Sequence, residues 1–218
     1  MNGMKTNASS KSNAPKTYLY IQMEYCGGGT LNKWITERNS GVTRSKKEAL
    51  DIFQKIVNGV EYIHSQEHFH RDLKPDNILF GSDGTVKIGD FGLVTTITNR
   101  NGASIERTMG KGTETYMSPE QEDQSTYDEK VDIFPLGLIF FELLWRIGTG
   151  MERAKLWVGL RRGELPEEFR KEYTTEHVLI RKMLSEAPAN RPGAKDISKQ
   201  LNVLLKEQTF PIPKNITV

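Results

Sequence analysis

The chain has 218 residues with a net charge of +2 and 27% charged residues, so one domain with a sizeable core is expected. This balance gives no indication of a nucleic-acid or membrane surface. The single cysteine, Cys26, excludes a disulfide framework within the chain and suits a reducing compartment, so a cytoplasmic location is expected. The richest apolar run, Pro135 to Trp145, is too short to span a bilayer, and the N-terminus lacks the apolar segment of a secretory signal.

The first predicted elements surround a glycine turn. Residues 1–17 are rich in Asn, Ser and Lys, and they are predicted to be disordered because they cannot bury enough apolar surface. Residues Tyr18–Glu24 alternate and carry aromatic and branched side chains, which predicts a strand. The run Cys26–Gly29 predicts a flexible turn, and Thr30 can then cap a short helix.

The first long predicted helix begins at Ser45. Ser45-x-x-Glu48 fits a capping box, and apolar residues recur at steps of three and four as far as Ile63. This stripe indicates core and no chemistry. Near the end of the helix, His64 is predicted to be a surface or capping histidine, and His68 is predicted to be structural.

The stretch with the most chemistry is His70–Asn77, which reads H-R-D-L-K-P-D-N. Asp72 lies among polar loop residues, where a carboxylate can accept or orient a hydroxyl proton; the alternative is a helix or turn cap. Lys74 can neutralise a phosphoryl group. Asn77 offers an amide oxygen, which is a ligand that magnesium accepts. His70 itself is predicted to be a packed core histidine.

A predicted β-hairpin connects this stretch to D-F-G at residues 90–92. Ile78–Phe80 and Thr85–Ile88 flank the turn residues 81–84. This hairpin would bring Asp90 back beside Asn77, and the carboxylate would then be a second magnesium ligand. An isolated aspartate before Phe-Gly is common in turns, so the interpretation depends on this register.

The rest of the chain is predicted to be helical after one long loop. Residues 90–120 form a polar, turn-rich connection of a length that is usually functional. Asp132 can cap the most apolar helix, from about Asp132 to Trp145, in which Pro135 is tolerable in the first turn but would kink the helix one turn later. Three further amphipathic helices and a tail are predicted at 149–162, 173–185, 196–207 and 208–218.

Together these motifs resemble the C-terminal lobe of a eukaryotic serine/threonine protein kinase. The resemblance is carried by residues 21–26, by the H-R-D-L-x-x-x-N loop, by residues 87–95, which contain D-F-G, and by residues 111–113 and 117–121. In the last of these, Ser118-Pro119-Glu120 replaces the usual Ala-Pro-Glu. Within that superfamily the chain is similar to the kinases of the alpha subunit of translation initiation factor 2, above all to the double-stranded-RNA-activated branch. The resemblance implies an α+β, mostly α fold: a kinase C-lobe with small β-hairpins, the last N-lobe strand and the hinge over 18–207, with the N-lobe largely missing.

The resemblance also implies site residues, with ATP and Mg²⁺ as cofactors. The catalytic residues would be Asp72, Lys74, Asn77 and Thr113, with Thr113 contacting Asp72 and Lys74. The nucleotide would be bound by Glu24 and Cys26 through hinge backbone groups, by Leu79 as the floor under adenine, and by Asp90. Magnesium would be held by Asn77 and Asp90.

The resemblance implies regulatory, docking and structural roles at four further places. Thr108 would be the activating phosphorylation site, with Arg71 among the residues that hold the phosphate; the alternative is a surface threonine. Thr149 and Glu152 match positions at which the family docks its initiation-factor substrate, although a plain amphipathic packing helix is an equal alternative. Structural roles are implied for a buried Glu120–Arg191 pair and for Asp132 as a brace of the catalytic loop.

Two hypotheses for function follow, because no G-x-G-x-x-G-x-V loop, strand lysine or partner glutamate precedes Tyr18. In the first, the chain is an N-truncated fragment of a serine/threonine kinase that transfers the ATP γ-phosphate to a serine of the initiation-factor-2 alpha subunit, with expected roles in translation regulation and antiviral innate immunity. In the second, it is an inactive truncated lobe that acts as a decoy or inhibitor by binding the substrate or a related kinase. A metal-dependent hydrolase using Asp72 and Asp90 would leave Lys74, Thr113 and Glu120 unexplained.

On either hypothesis the lobe alone is expected to bind ATP weakly and to transfer phosphate slowly or not at all. The expected partners are the alpha subunit and, in the full-length protein, a possible kinase dimer partner. No nucleic acid is expected to bind this segment, and no membrane partner is expected.

Overall fold

The computed structural model describes residues 20, 22–41, 43–91, 95–96, 114–122 and 128–209. Helices make up most of this part, as predicted. They are α1 Leu31–Asn39, α2 Lys46–Ser65, α3 Pro119–Glu122, α4 Ile133–Leu144, α5 Gly150–Leu160, α6 Glu167–Glu172, α7 Glu176–Met183 and α8 Ala194–Thr209. Short 3₁₀ turns lie at Pro75–Asn77, Glu114–Tyr116, Glu129–Asp132 and Pro188–Asn190. In this part of the chain, no helix is both long and apolar enough to cross a bilayer.

The strands of the described part form two short antiparallel pairs. They are β1 His68–Phe69, β2 Ile78–Phe80, β3 Val86–Ile88 and β4 Thr95–Thr96. β2 pairs with β3, with Ile78 opposite Ile88 and Phe80 opposite Val86, which confirms the predicted hairpin. The pairing of β1 with β4 was not predicted, because two-residue strands are too short to show an alternating pattern.

Helix α4 forms the centre of the core. All 12 of its residues are buried, and its Phe140 ring stacks on Phe53 of α2 with centroids 4.0 Å apart. The predicted central helix is therefore confirmed. Pro135 is its third residue, within the first turn, where the missing N–H removes no intrahelical hydrogen bond.

The predicted starts of α1 and α2 are confirmed, with one change. Thr30 accepts a hydrogen bond from the backbone N–H of Lys33 (3.2 Å) and caps α1. Ser45 accepts from the N–H of Glu48 (3.4 Å) and caps α2. The Glu48 carboxylate accepts instead from Trp34 Nε1 and Arg38 Nη2, because packing of α1 on α2 offers it donors that the capping box does not.

Three other elements differ from the sequence prediction: a strand that does not form, a helix that is longer, and a helix that was not predicted. Residues 20 and 22–24 have no strand structure; a strand needs partners for its backbone groups, and here pairing begins only at Gly28, whose N–H donates to the Phe80 carbonyl (2.9 Å). Helix α8 runs to Thr209, past the predicted start of the tail. Helix α6 was missed because Phe169 is its single buried residue, which gives no periodic signal. The predicted disordered segment 1–17 lies outside the described residues.

Candidate active site

Asp132, in the 3₁₀ turn before α4, holds the catalytic loop His70–Asn77 in place. The fully buried carboxylate of Asp132 accepts hydrogen bonds from the backbone N–H groups of His70 (2.7 Å) and Arg71 (2.8 Å) and contacts His64 Nε2 (2.9 Å). Asp132 does not cap α4 with its side chain, so that prediction is wrong, whereas the bracing role is confirmed. His64 is no surface histidine: it is one of the groups that fix Asp132.

The His70 ring joins the catalytic loop to the end of the hairpin. Its Nε2 lies 2.8 Å from the Gly89 carbonyl oxygen, and its Nδ1 lies 3.3 Å from the backbone nitrogen of Asp72. A carbonyl only accepts and an amide N–H only donates, so these bonds require the tautomer with the proton on Nε2. His70 is completely buried, which confirms its predicted structural role.

Asp72, Lys74 and Asn77 converge at one point of the loop. Lys74 Nζ lies 2.7 Å from Asp72 Oδ2, and Asn77 Nδ2 donates to the Asp72 carbonyl (2.8 Å) and to Asp72 Oδ2 (3.1 Å). The side chains of Asp72 and Lys74 are 11% and 19% exposed, so they are shielded but reachable. The geometry places a proton acceptor beside a positive charge, which suits transfer of a phosphoryl group to a hydroxyl.

The hairpin brings Asp90 next to this group, as the predicted register requires. The N–H of Gly89 donates to the Asn77 carbonyl (2.8 Å), so Asp90 directly follows the residue that is paired with Asn77. Asp90 is exposed and has a φ of +58°. A positive φ is uncommon for a residue other than glycine, and such residues cluster at functional sites.

The residues here fit a magnesium ion that is shared with phosphates. Because the Asn77 amide nitrogen faces Asp72, the amide oxygen Oδ1 is the Asn77 atom left to bind a cation. Magnesium in phosphate-binding sites commonly takes one or two protein oxygens and fills its other positions with water and phosphate. Among the described residues, no cluster of three or more His, Cys, Asp or Glu side chains is suited to a metal ion.

The predicted adenine-binding residues lie along the same hairpin. The Gly28 and Gly29 backbone pairs with Phe80 at the end of β2, so the chain that follows Glu24 and Cys26 is anchored to the hairpin. Leu79 is half-buried, and a Cβ placed on Gly89 would lie 3.0 Å from its Cδ1 atom. The Glu24 carboxylate is bound by Lys87 Nζ at 2.5 Å, and this hydrogen bond raises the pKa of the Lys87 ammonium.

The segment after the long loop is tied to both the core and the catalytic loop. The Glu120 carboxylate receives two hydrogen bonds from the buried Arg191 guanidinium, at 2.5 and 2.8 Å, which confirms the predicted pair. Gln121 donates from Nε2 to the Arg71 carbonyl (3.0 Å) and accepts from Ser118. This role of Gln121 is not apparent from the sequence, because its partner is 50 residues away. The predicted residues Thr108 and Thr113 lie outside the described part of the chain.

The predicted docking residues form the start of helix α5. Thr149 Oγ1 accepts from the backbone N–H of Glu152 (3.1 Å), and the Glu152 carboxylate accepts from the N–H of Gly148 (2.8 Å). Both side chains therefore stabilise the helix N-terminus, and both residues are exposed. The T-x-x-E spacing is the sequence signal for this cap. A docking role stays a prediction.

A buried polar cluster beneath the site was also missed. Tyr116 Oη donates to Glu142 Oε2 (2.5 Å), and Arg153 donates to Glu142 Oε1 (3.1 Å) and to the Tyr116 hydroxyl (2.9 Å). Burial raises the pKa of the Glu142 carboxyl and that of the Tyr116 hydroxyl. The available signal was a single glutamate inside the most apolar helix, which must find partners if it is buried.

Comparison with known proteins agrees with this geometry. The family model described as "Protein kinase domain" matches residues 6–202. "Eukaryotic translation initiation factor 2-alpha kinase 3" of Rattus norvegicus is 42% identical over 207 residues, which cover 91% of this chain and 18% of the rat protein. "Interferon-induced, double-stranded RNA-activated protein kinase" of Mus musculus is 44% identical over 183 residues, which cover 84% of this chain and 34% of the mouse protein.

A plant relative extends the same similarity. "eIF-2-alpha kinase GCN2" of Arabidopsis thaliana is 37% identical over 202 residues, which cover 86% of this chain and 16% of the plant protein. The chain thus spans a minor part of the length of each of these relatives. Three findings agree with one another. The fold is mostly helical, a buried aspartate braces the catalytic loop, and the family model matches most of the sequence. The chain therefore belongs to the protein kinase family, has the fold of its C-terminal lobe, and is similar within that family to the initiation-factor-2-alpha kinases.

Proposed function

We propose that the chain is the phosphate-transferring lobe of a serine/threonine kinase that acts on a serine of the alpha subunit of translation initiation factor 2. The observation that carries the proposal is the 2.7 Å contact between Asp72 and Lys74, on the loop whose Asn77 pairs with the strand leading to Asp90. The names of the similar proteins support the substrate. The single cysteine supports a cytoplasmic location.

Each residue of the loop has a distinct task in this proposal. Asp72 orients the substrate hydroxyl and accepts its proton, while Lys74 neutralises charge on the phosphoryl group. Asn77 Oδ1 and the Asp90 carboxylate would hold magnesium, which supplies charge neutralisation on ATP when bound. Backbone groups from Glu24 to Cys26, with Leu79 below them, would bind the adenine.

A second candidate function is binding without transfer, as a decoy for the substrate or for a related kinase. The observation that favours it is a set of large apolar side chains that are exposed beside the nucleotide-binding segments. Phe91 is 51% exposed, and three more lie in the segment before Gly27: Tyr20, Met23 and Tyr25. Exposed apolar groups of this kind favour association with a partner.

The test compares the 218-residue chain with the same chain joined to the small lobe of a similar kinase, each with and without Asp72→Asn. We expect the two-lobe protein to phosphorylate the alpha subunit. Asp72→Asn should lower turnover by orders of magnitude and leave ATP affinity nearly unchanged, because Asp72 contacts the hydroxyl. The shorter chain should transfer no more phosphate than its own Asp72→Asn control, because transfer depends on positioning from both sides.

Two results would reject the kinase proposal or revise it. A folded two-lobe protein that binds ATP and does not phosphorylate the alpha subunit would reject it. A purified, monomeric 218-residue chain whose activity is lost on Asp72→Asn would show that no small lobe is needed. Inhibition of a related kinase to the same extent by the wild-type chain and by Asp72→Asn would support the decoy function.

A further inference from the structure

Side chains at the end of helix α5 donate hydrogen bonds to the backbone of the segment Thr115–Met117, which follows the long loop. Trp157 Nε1 donates to the Thr115 carbonyl (2.9 Å). Arg161 Nη1 donates to the carbonyls of Thr115 (3.2 Å) and Met117 (2.7 Å), and its other nitrogen pairs with Glu122. Trp157 of α5 and Arg161, the residue that directly follows the helix, thus bind the carbonyls of Thr115 and Met117.

Arg153 contacts the same segment from the same face of the helix. Residues 153, 157 and 161 are spaced by four, so their side chains lie on one side of the helix. The Arg153 guanidinium lies 3.8 Å from the centroid of the Trp157 ring while it binds Glu142 and the Tyr116 hydroxyl. The Trp157 ring also meets the Tyr116 ring edge-on, with centroids 5.5 Å apart.

The other side of the segment Thr115–Met117 faces the catalytic loop. Tyr116 and Met117 line a small cavity together with Arg71, Asp72 and Leu73 of the loop. Tyr116 and Met117 are therefore close neighbours of Asp72 in the fold. The segment lies between the catalytic residues on one side and helix α5 on the other.

We propose that Arg153, Trp157 and Arg161 are positioning residues that hold Thr115–Met117 against the catalytic loop, so that helix α5 sets the place where a protein substrate meets Asp72. The last clause rests on the kinase function proposed above, whereas the hold on the segment does not. None of the three residues touches the reacting atoms. Their effect passes through the carbonyls of Thr115 and Met117 and through the Tyr116 hydroxyl.

The test uses Trp157→Phe and Arg161→Met, which leave the partners of the buried Glu142 in place and so avoid the folding defect expected from Arg153→Met. Lys155→Met is the matched control, because Lys155 is exposed on the same helix. Hydrogen–deuterium exchange of peptides covering 115–122 is measured in the 218-residue chain. In the two-lobe protein, kcat and KM are measured separately for the alpha subunit and for ATP.

We expect each variant to speed exchange in 115–122 by about tenfold or more, since a charged or indole donor to a carbonyl is lost. The kcat/KM for the protein substrate should fall by about tenfold, and KM for ATP should stay within about twofold. Lys155→Met should change none of these values. Exchange that matches the control would overturn the proposal, as would faster exchange with unchanged phosphorylation in an active two-lobe protein. If the two-lobe protein is inactive, the kinase function fails, and the exchange result alone decides whether α5 holds the segment.

Discussion

The carboxylate of Asp132 accepts the backbone N–H of Arg71 at 2.8 Å and helps to hold Arg71 at a φ of +69°. This conformation is unfavourable by roughly 1–2 kcal/mol for a residue with a Cβ, so it persists only where the surroundings fix it. Asp132 supplies that constraint from a fully buried position. The shape of the catalytic loop therefore depends on a residue 61 positions further along the chain.

Asp132→Asn should unfold more easily and lose its catalytic geometry. Asparagine has one oxygen in place of two, so it cannot accept from His70, Arg71 and His64 together, and one buried donor is left unpaired. We expect the free energy of unfolding in urea to fall by about 1–3 kcal/mol. Asp128→Asn is the control, because Asp128 caps an exposed 3₁₀ turn and asparagine caps equally well; it should change stability by less than about 0.5 kcal/mol. Equal losses would show that Asp132 has no special role.

Glu120→Ala should be among the most damaging single changes in the chain. It leaves the buried Arg191 guanidinium without its carboxylate, and breaking a buried pair on one side costs about 3–5 kcal/mol. Glu167→Ala removes a carboxylate from exposed pairs with Arg170 and Lys171 and should cost at most about 1 kcal/mol. Urea unfolding of both variants measures the difference. A loss for Glu120→Ala no larger than that for Glu167→Ala would contradict the buried-pair argument.

Glu142→Gln should change how stability depends on pH. Burial raises the pKa of Glu142 above its usual value of 4.5, and Arg153 opposes this effect. A carboxyl with a raised pKa in the folded state contributes stability that is complete below 4.5 and is lost as the pH rises through the folded-state pKa. The free energy of unfolding should therefore fall more steeply between about pH 4 and about pH 7 in the wild type than in Glu142→Gln.

The control for this comparison is Glu164→Gln, because Glu164 is exposed and its loss should leave the wild-type pH dependence in place. Urea unfolding at both pH values gives the slopes for all three proteins. If Glu142→Gln keeps the wild-type slope, the burial of Glu142 does not affect its proton binding in the way stated here.

Asp90→Ala and Asp72→Asn should separate nucleotide binding from transfer in the two-lobe protein. Asp90→Ala removes a predicted magnesium ligand, so the gain in ATP affinity on adding magnesium should disappear. Asp72→Asn should keep that gain and lose turnover. Fluorescence titration with ATP, with and without magnesium, and a turnover assay measure the two effects. Equal and mild effects of both substitutions would contradict the assigned roles.

Much of the site could be predicted from the sequence because its residues are close together along the chain. Asp72, Lys74 and Asn77 lie within one loop, and the alternating runs around residues 81–84 predict the hairpin that returns to Asp90. The central helix was equally clear, since a run that is apolar except for Glu142 must be largely buried. Local patterns of this kind are decided by the pleat of a strand and the turn of a helix, which act over a few residues.

What the sequence by itself determined is the lobe's helical pattern, its catalytic loop and the family to which that loop belongs. The tertiary structure alone decided which partners the carboxylates of Glu142 and Glu48 receive, and that Asp132 leaves its own helix without a side-chain cap. Glu142 binds Tyr116, and the partly exposed Glu48 binds Arg38, over separations of 26 and 10 residues. A carboxylate accepts from whichever donors packing brings within about 3 Å, and that choice is made by the contacts between helices, which no local pattern encodes.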